Sequence, residues 1–294
     1  MSPIHIVWDM ETSDPDDFLT LLLLLDHPKV KLKAVTVTPG STRQIGLVRR
    51  ALEWFGKTDL PVGARDLDWP KQCVSGWHWG AYGEAPPSSD ARPAAEVLLE
   101  NFDENTVYVT GASNQNLGAA MALAESRGVP FKLAAWVCQG GFAGEGVVPP
   151  EKQLAKFKGR VTCPSFNVGG APKPVLAAQQ HPGFGIRRFV SKNVCHGVIY
   201  DRRMHEQFAA AKHKRLGLEL IWKGMEHYLR KHRGGKAFHD PLAAACAIDP
   251  EIGTWAEVEL YREGHEWGSR LTPGSNTFII VDYSAERFLD TMLG

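Results

Sequence analysis

The chain has 294 residues, and its 33 Lys plus Arg are matched by 33 Asp plus Glu, so no basic surplus exists to neutralise a nucleic-acid backbone and no polymeric nucleic acid is expected as a partner. Hydrophobic residues at 44% and charged residues at 22% are the proportions of an ordinary globular enzyme, long enough for one large α/β domain or two small ones. The start MSPIHIVWDME lacks the basic region of a signal peptide, the run Leu19–Leu25 is too short to span a bilayer, and five widely spaced cysteines with no CxxC pair suit a reduced cytoplasm.

In chain order, Ile4–Trp8 reads as a buried strand and Asp16–Asp26 as the helix after it. Leu32–Val37 is a second strand and Thr42–Phe55 a second helix. Thr106–Val109 leads to helix Gln115–Ser126, and Phe131–Val137 to a long loop. Strand Ile186–Val190 precedes helical stretches Arg202–Ala211 and Leu216–His232. Strands Ala256–Arg262 and Thr277–Val281 and helix Ala285–Leu293 close the chain. Strands alternating with helices at this spacing predict one Rossmann-like α/β domain over residues 1–294, with a mostly parallel sheet covered on both faces. Two long loops, Gly63–Asp90 with SGWHWGAYG and Gln139–Asn167 with QGGFAGEGVV and TCPSFN, are rich in Gly and aromatic residues and are expected to form ordered lids.

Asp9, Glu11, Asp14, Asp16 and Asp17 crowd into nine positions where the first strand ends, the place where α/β sheets bind ligands. Asp14-Pro15 fits a helix N-cap followed by Pro at the first helical position. That reading does not cover Asp9 and Glu11, which precede the helix. A cation relieves the repulsion, and hard oxygen ligands without thiolate or imidazole favour calcium, then magnesium, over zinc. Far along the chain Phe238-His239-Asp240-Pro241-Leu242 brings another carboxylate, which taken alone is either a helix cap or a further ligand.

With these residues in view, the sequence resembles the calcium-dependent, inosine-uridine-preferring nucleoside hydrolases. The run Asp9-Met10-Glu11-Thr12-Ser13-Asp14-Pro15-Asp16-Asp17 is similar to the family's D-x-D-x-x-x-D-D signature, with Glu11 in place of Asp and one extra residue. Ala34–Ser41 resembles the TTVAGN element, with Ser41 where Asn is usual, and Val109–Leu117 resembles the TGPLTNL turn, one residue longer. Gly140-Gly141-Phe142, Ser165-Phe166-Asn167, Val194-Cys195-His196 and His239-Asp240-Pro241-Leu242-Ala243 look like GGA/GGY, EFN, VTH and HDPLA.

The resemblance implies water-driven cleavage of the N-glycosidic bond of a nucleoside. Glu11, Asp17, Asp240 and a backbone carbonyl of Asn114 or Gln115 are implied to ligate calcium. Glu11 is also implied as the base for the attacking water, Asp16 and Asn167 as contacts to the ribose, and His239 as the group that protonates or polarises the leaving base. His78 resembles the histidine of a mobile active-site loop, and Trp77, Trp79, Tyr82 and Phe142 are candidates to stack on a base, with packing of the loop as the competing role. His196 is read as structural. Ser165 stands where the family often has a Glu on the 5′ end of the sugar, which, with Lys152, Lys156 and Lys158 on the adjoining loop, opens a 5′-modified or phosphorylated substrate. A homodimer or homotetramer is implied by the family. Two other readings compete: a haloacid-dehalogenase-type phosphatase built on Asp9-Met10-Glu11-Thr12, and a non-catalytic nucleoside-binding relative.

Overall fold

A computed structural model describes residues 2–294. Its first strand, β1 (Ile4–Met10), is fully buried from Ile6 onward. The strand period of two divides its side chains: Ile6, Trp8 and Met10 enter one core cluster and Val7 the other. A strand covered by helices on both faces needs apolar residues at every position, which is why it reads as a continuous hydrophobic run.

The later strands are β2 (Val30–Val37), β3 (Val62–Ala64), β4 (Arg92–Pro93), β5 (Thr106–Thr110), β6 (Leu133–Gln139), β7 (Thr162–Cys163), β8 (Phe184–Val190), β9 (Ile199–Tyr200), β10 (Lys236–Ala237), β11 (Gly253–Glu263), β12 (Glu266–Leu271) and β13 (Thr277–Tyr283). Eleven of them form one sheet in the order β4-β3-β2-β1-β5-β6-β8-β13-β11-β12-β7. Pairing is parallel from β4 across to β13 and antiparallel among β13, β11, β12 and β7. This is the mostly parallel α/β sheet that the alternating pattern predicts. Chain order reverses between β1 and β5, and such a switch point opens a crevice at the carboxyl ends of the strands.

One helix places the distant carboxylate. His239–Ile248 is buried from Asp240 to its end and lies against β5, β6 and β8. Just before it, β10 pairs with β9 through Lys236–Tyr200 and Ala237–Ile199. That pairing fixes where the helix begins.

Both long loops are ordered, as predicted. The first contains the helix Gly76–Tyr82; the second contains two short 3-10 turns and β7, which pairs with β12. Helices Ala94–Asn101 and Pro172–Gln180 lie outside the predicted elements, as do two four-residue helices, Phe166–Gly169 and Lys192–Cys195, and β12. Helix Pro172–Gln180 begins PKP, which reads as a loop. Proline is tolerated in a first helical turn because those N–H groups have no intrahelical acceptor.

The two ends of the chain meet at His27. Its Nε2 lies 2.9 Å from the Thr291 carbonyl, and its Nδ1 accepts the Lys29 N–H at 3.2 Å; Nε2 therefore carries the hydrogen. Burial pushes its pKa down to about 4, further than the Thr291 bond lifts it. The unfolded side chain titrates near 6.5. Between those values the unfolded chain binds a proton that the folded chain does not, so stability falls as pH drops from about 6.5 to 4, by about 2–3 kcal/mol. His27→Gln is expected to flatten this slope in urea titrations run across that range. An unchanged slope would refute the assignment.

Candidate active site

A cavity of about 420 Å³ opens at the carboxyl ends of the strands, lined by Glu11, Asp14, Asp16, Asp17 and Asp240 among others. The segments after β1, β5, β6 and β8 and the start of helix His239–Ile248 all reach it.

Asp16 organises the acidic wall. Its Oδ2 accepts the backbone N–H of His239 at 3.0 Å and of Asp240 at 3.2 Å. It therefore caps a helix that begins 223 positions later, one whose own N-cap residue, Phe238, makes no side-chain cap. A carboxylate there also meets the positive end of the helix dipole. Its Oδ1 accepts from Lys236 Nζ at 3.1 Å, and the same ammonium pairs with Asp14 at 3.1 Å. Asp14 does occupy the N-cap position of helix Pro15–Asp26, but it makes no side-chain cap bond there. Burial alone would lower the pKa of Lys236; Asp16 and Asp14 outweigh it and the net direction is upward.

Asp17 and Asp240 face each other beside this pair. Asp16, Asp17 and Asp240 each offer a carboxylate oxygen within 4.8 Å of the others. Gly111, after β5, permits the approach: a Cβ there would lie 2.7 Å from Asp240 Oδ1 and 2.5 Å from the Trp8 ring. Burial first, then mutual repulsion, raises both pKa values well above the usual carboxylate range, with Asp240 and Glu11 acting on Asp17 and with Asp16 and Glu11 acting on Asp240. Glu11 donates its backbone N–H to Asp17 Oδ1 at 2.9 Å, and its side chain accepts from Ser13 Oγ at 3.2 Å. Its pKa is raised to about 7 by burial and by Asp16, Asp14 and Asp9, against the Ser13 bond.

Asp9 belongs to the framework. It is fully buried and accepts from Thr36 Oγ1 (2.7 Å), Asn116 Nδ2 (2.8 Å) and the Tyr108 hydroxyl (3.0 Å). Burial lifts its pKa to about 6 against those bonds. A nucleophile enclosed in this way has no access to substrate, which removes the phosphatase reading.

Another wall is formed by Gln139, Ser165, Phe166, Asn167, Lys192, His196 and His239. Asn167 Nδ2 is held by the Gly111 carbonyl at 2.8 Å and by Gln139 Oε1 at 2.7 Å. Ser165 Oγ accepts the Gly141 N–H at 3.1 Å. The rings of His196 and His239 lie 4.5 Å apart, so His196, read as structural from sequence, lines the cavity. Burial lowers both imidazole pKa values, that of His196 to about 3 with help from His239 and Lys156.

Several residues named from sequence do not line this cavity, among them Trp79 and Tyr82 and the four described next. His78 is fully buried, bonded to Ser75 and set edge-on to Phe18 and Trp77. Burial holds its pKa down at about 4. Trp77 donates to the Gly224 carbonyl and packs against Tyr82. Phe142 is fully buried against Phe157. Asn114 is buried with its side chain on the Asn167 carbonyl, and its own carbonyl takes the N–H of Gly118. The residues that sequence passed over are Lys236, Lys192 and Phe166; Phe166 is 71% exposed. Phe166, Glu11 and Ser13 also border a second, more apolar cavity of about 400 Å³ that includes Trp69 and Cys73.

The acidic wall fits a hard divalent cation. Every donor on it is an oxygen, and of the five cavity carboxylates only Asp14 and Asp16 are ion-paired, both with Lys236. Two oxygens that each lie about 2.3–2.6 Å from calcium can be at most about 5 Å apart, which matches the spacing of Asp17 and Asp240. Asp16 has one oxygen on Lys236 and the other on two N–H groups; Glu11 lines the same cavity but stands outside the group of oxygens within 4.8 Å of one another.

Comparison with known proteins agrees with this geometry. Residues 6–290 match the family model described as inosine-uridine preferring nucleoside hydrolase. An uncharacterized protein of Aquifex aeolicus (strain VF5) is 28% identical, covering 98% of this chain and 97% of its own. The pyrimidine-specific ribonucleoside hydrolase RihA of Enterobacter sp. (strain 638) is 26% identical, covering 94% and 93%. Among solved structures, the purine-preferring ribonucleoside hydrolase from Gardnerella vaginalis superposes with TM-score 0.66 at 17% identity, covering 98% and 96%. The plant nucleoside hydrolase PpNRh1 gives 0.72 at 18%, covering 99% and 98%. A model match over nearly the whole chain, on a sheet whose switch point holds this carboxylate cluster, shows that the chain belongs to the inosine-uridine preferring nucleoside hydrolase family, enzymes that hydrolyse ribonucleosides to base and ribose.

Proposed function

We propose that this cavity carries out the hydrolysis with a divalent cation, calcium by ligand type, held by Asp17, Asp240 and Glu11. The observation that carries the reading is the meeting of Asp17 with Asp240 from opposite ends of the sequence. When bound, such a cation supplies Lewis acidity toward the attacking water and a grip on sugar hydroxyls.

The chain's own groups divide the remaining work. Glu11, whose carboxylate faces the cavity, takes the water proton. A carboxylate offers about four lone-pair positions, and three on Asp16 are used by Lys236, His239 and Asp240. The fourth is free for a ribose hydroxyl, and Asn167 on the facing wall of the cavity offers a second polar contact. His239 carries a buried Nδ1 without a hydrogen-bond partner among the described residues. Its lowered pKa keeps the ring neutral at pH 7, so it polarises the departing base by hydrogen bonding and does not deliver a full charge. Phe166, exposed between the two cavities, supplies a stacking face for the base. The whole chain acts as one domain, since strands from both its ends share one sheet. All five cysteines are free thiols, and among the described residues no helix is long and apolar enough to cross a membrane; both features support a cytoplasmic enzyme. A homodimer or homotetramer completes the reading.

The named relatives divide between pyrimidine-specific and purine-preferring enzymes, so the test is a screen of purine and pyrimidine ribonucleosides with added calcium, reading free base by chromatography. Release of base from at least one is expected, and Glu11→Gln should lower kcat by about 10²–10⁴-fold. Silence across the whole screen defeats the reading. Calcium should raise the melting temperature, EDTA should reverse the gain, and Asp240→Ala should abolish it; an identical calcium response in the variant removes Asp240 from the ligand set. Phe142→Ala should cost about 3–5 kcal/mol of stability through the cavity it leaves. Phe166→Ala should leave the melting temperature in place and raise KM, and the opposite pattern would exchange their roles.

A further inference from the structure

One wall of the active-site cavity carries positive charge that hydrolysis of a neutral nucleoside does not use. Lys192 lines the cavity. Its Nζ donates to the Pro164 carbonyl at 2.7 Å, so the ammonium is held beside Ser165. Its backbone N–H donates to the Gly141 carbonyl at 3.3 Å, and the Gly141 N–H in turn donates to Ser165 Oγ. The Ser165 hydroxyl is thus engaged as an acceptor and keeps its hydrogen for a ligand. Lys156 Nζ lies 2.7 Å from His196 Nδ1, on the ring that lines the same wall. Lys156 and Lys192 both help depress the pKa of His196, which marks the local field as positive. Lys236 is neutralised by Asp14 and Asp16, whereas neither Lys156 nor Lys192 has a carboxylate within ion-pair distance among the described residues. Of the other lysines named from sequence, Lys152 is paired with Asp282 at 2.7 Å.

We propose that the substrate of this site is a ribonucleoside with an anionic 5′ substituent, of which a 5′-monophosphate is the simplest, its oxygens held by Lys192, Lys156 and the Ser165 hydroxyl. This rests on the hydrolase reading above and narrows it. The acids lie between β1 and the first turn of helix Pro15–Asp26 and at Asp240, while the lysines lie in the segments after β6 and β8. One cavity therefore presents an anionic wall for the cation and the sugar diol, and a cationic wall for the far end of the ribose. A 5′-hydroxyl gains one neutral hydrogen bond there; a phosphate gains several charge-assisted ones. Water oxygen joins C1′, the C1′–N bond breaks with its electron pair to the base, the base leaves with a proton, and ribose 5-phosphate is the second product.

The experiment compares kcat/KM for uridine against uridine 5′-monophosphate and inosine against inosine 5′-monophosphate, on the calcium-loaded wild-type enzyme, with identification of both products. The phosphorylated substrate is expected to be preferred by about tenfold or more, one charge-assisted hydrogen bond being worth about that factor. Lys192→Gln should reduce the monophosphate-to-nucleoside ratio about tenfold, and Ser165→Glu should invert it. Ribose 5-phosphate should inhibit the wild type more tightly than ribose, which tests the site without relying on a variant. Equal or faster cleavage of the free nucleosides overturns the proposal and leaves the hydrolase reading standing; no base release from either class overturns both.

Discussion

Asp16 accepts two backbone N–H groups from the start of helix His239–Ile248 with one oxygen and an ammonium from Lys236 with the other. Both contacts fall at the junction between β10 and that helix, so one carboxylate sets the position and axis of the element that carries Asp240. Without it the helix would begin with unsatisfied donors in a buried place. Asp240 would also have no fixed distance from Asp17. The β9–β10 pairing and the bare backbone of Gly111 complete the constraint.

The electrostatics follow from that geometry. Asp9, Glu11, Asp17 and Asp240 are withdrawn from water in close company, and burial raises the pKa of each. Asp9 is relieved by three neutral donors and becomes scaffold. Asp14 and Asp16 are relieved by Lys236. Glu11, Asp17 and Asp240 keep their repulsion, which the proposed cation would relieve. The division of labour among six neighbouring acids comes from which of them the protein neutralises itself.

Much of this was legible in the sequence. Acids clustered where an apolar strand ends break the usual pattern of a strand–helix junction, and the HDPLA run announces a second carboxylate on a buried helix. The strands and their parallel arrangement followed from hydrophobic runs that helices on both faces demand. The two long loops left two roles open because Trp77, His78 and Phe142 have the same composition whether they turn toward a ligand or toward the core; only the tertiary partners Phe18, Gly224 and Phe157 decide it. Lys236 was hidden because it follows a basic stretch that reads as a solvated helix end, and its burial depends on acids more than 200 positions away. The choice between the Asn114 and Gln115 carbonyls was not legible, because it depends on where the following helix starts; the Asn114 carbonyl takes the Gly118 N–H.

The 223-residue separation closed by Asp16 also bears on biosynthesis. Closing so long a loop carries an entropic cost that only the assembled core offsets. During translation the cap has no helix to hold until residues 239–248 have left the ribosome and folded onto β5, β6 and β8. The meeting of Asp17 with Asp240 is then among the last events in maturation, and a truncated nascent chain carries the acids after β1 without their partner.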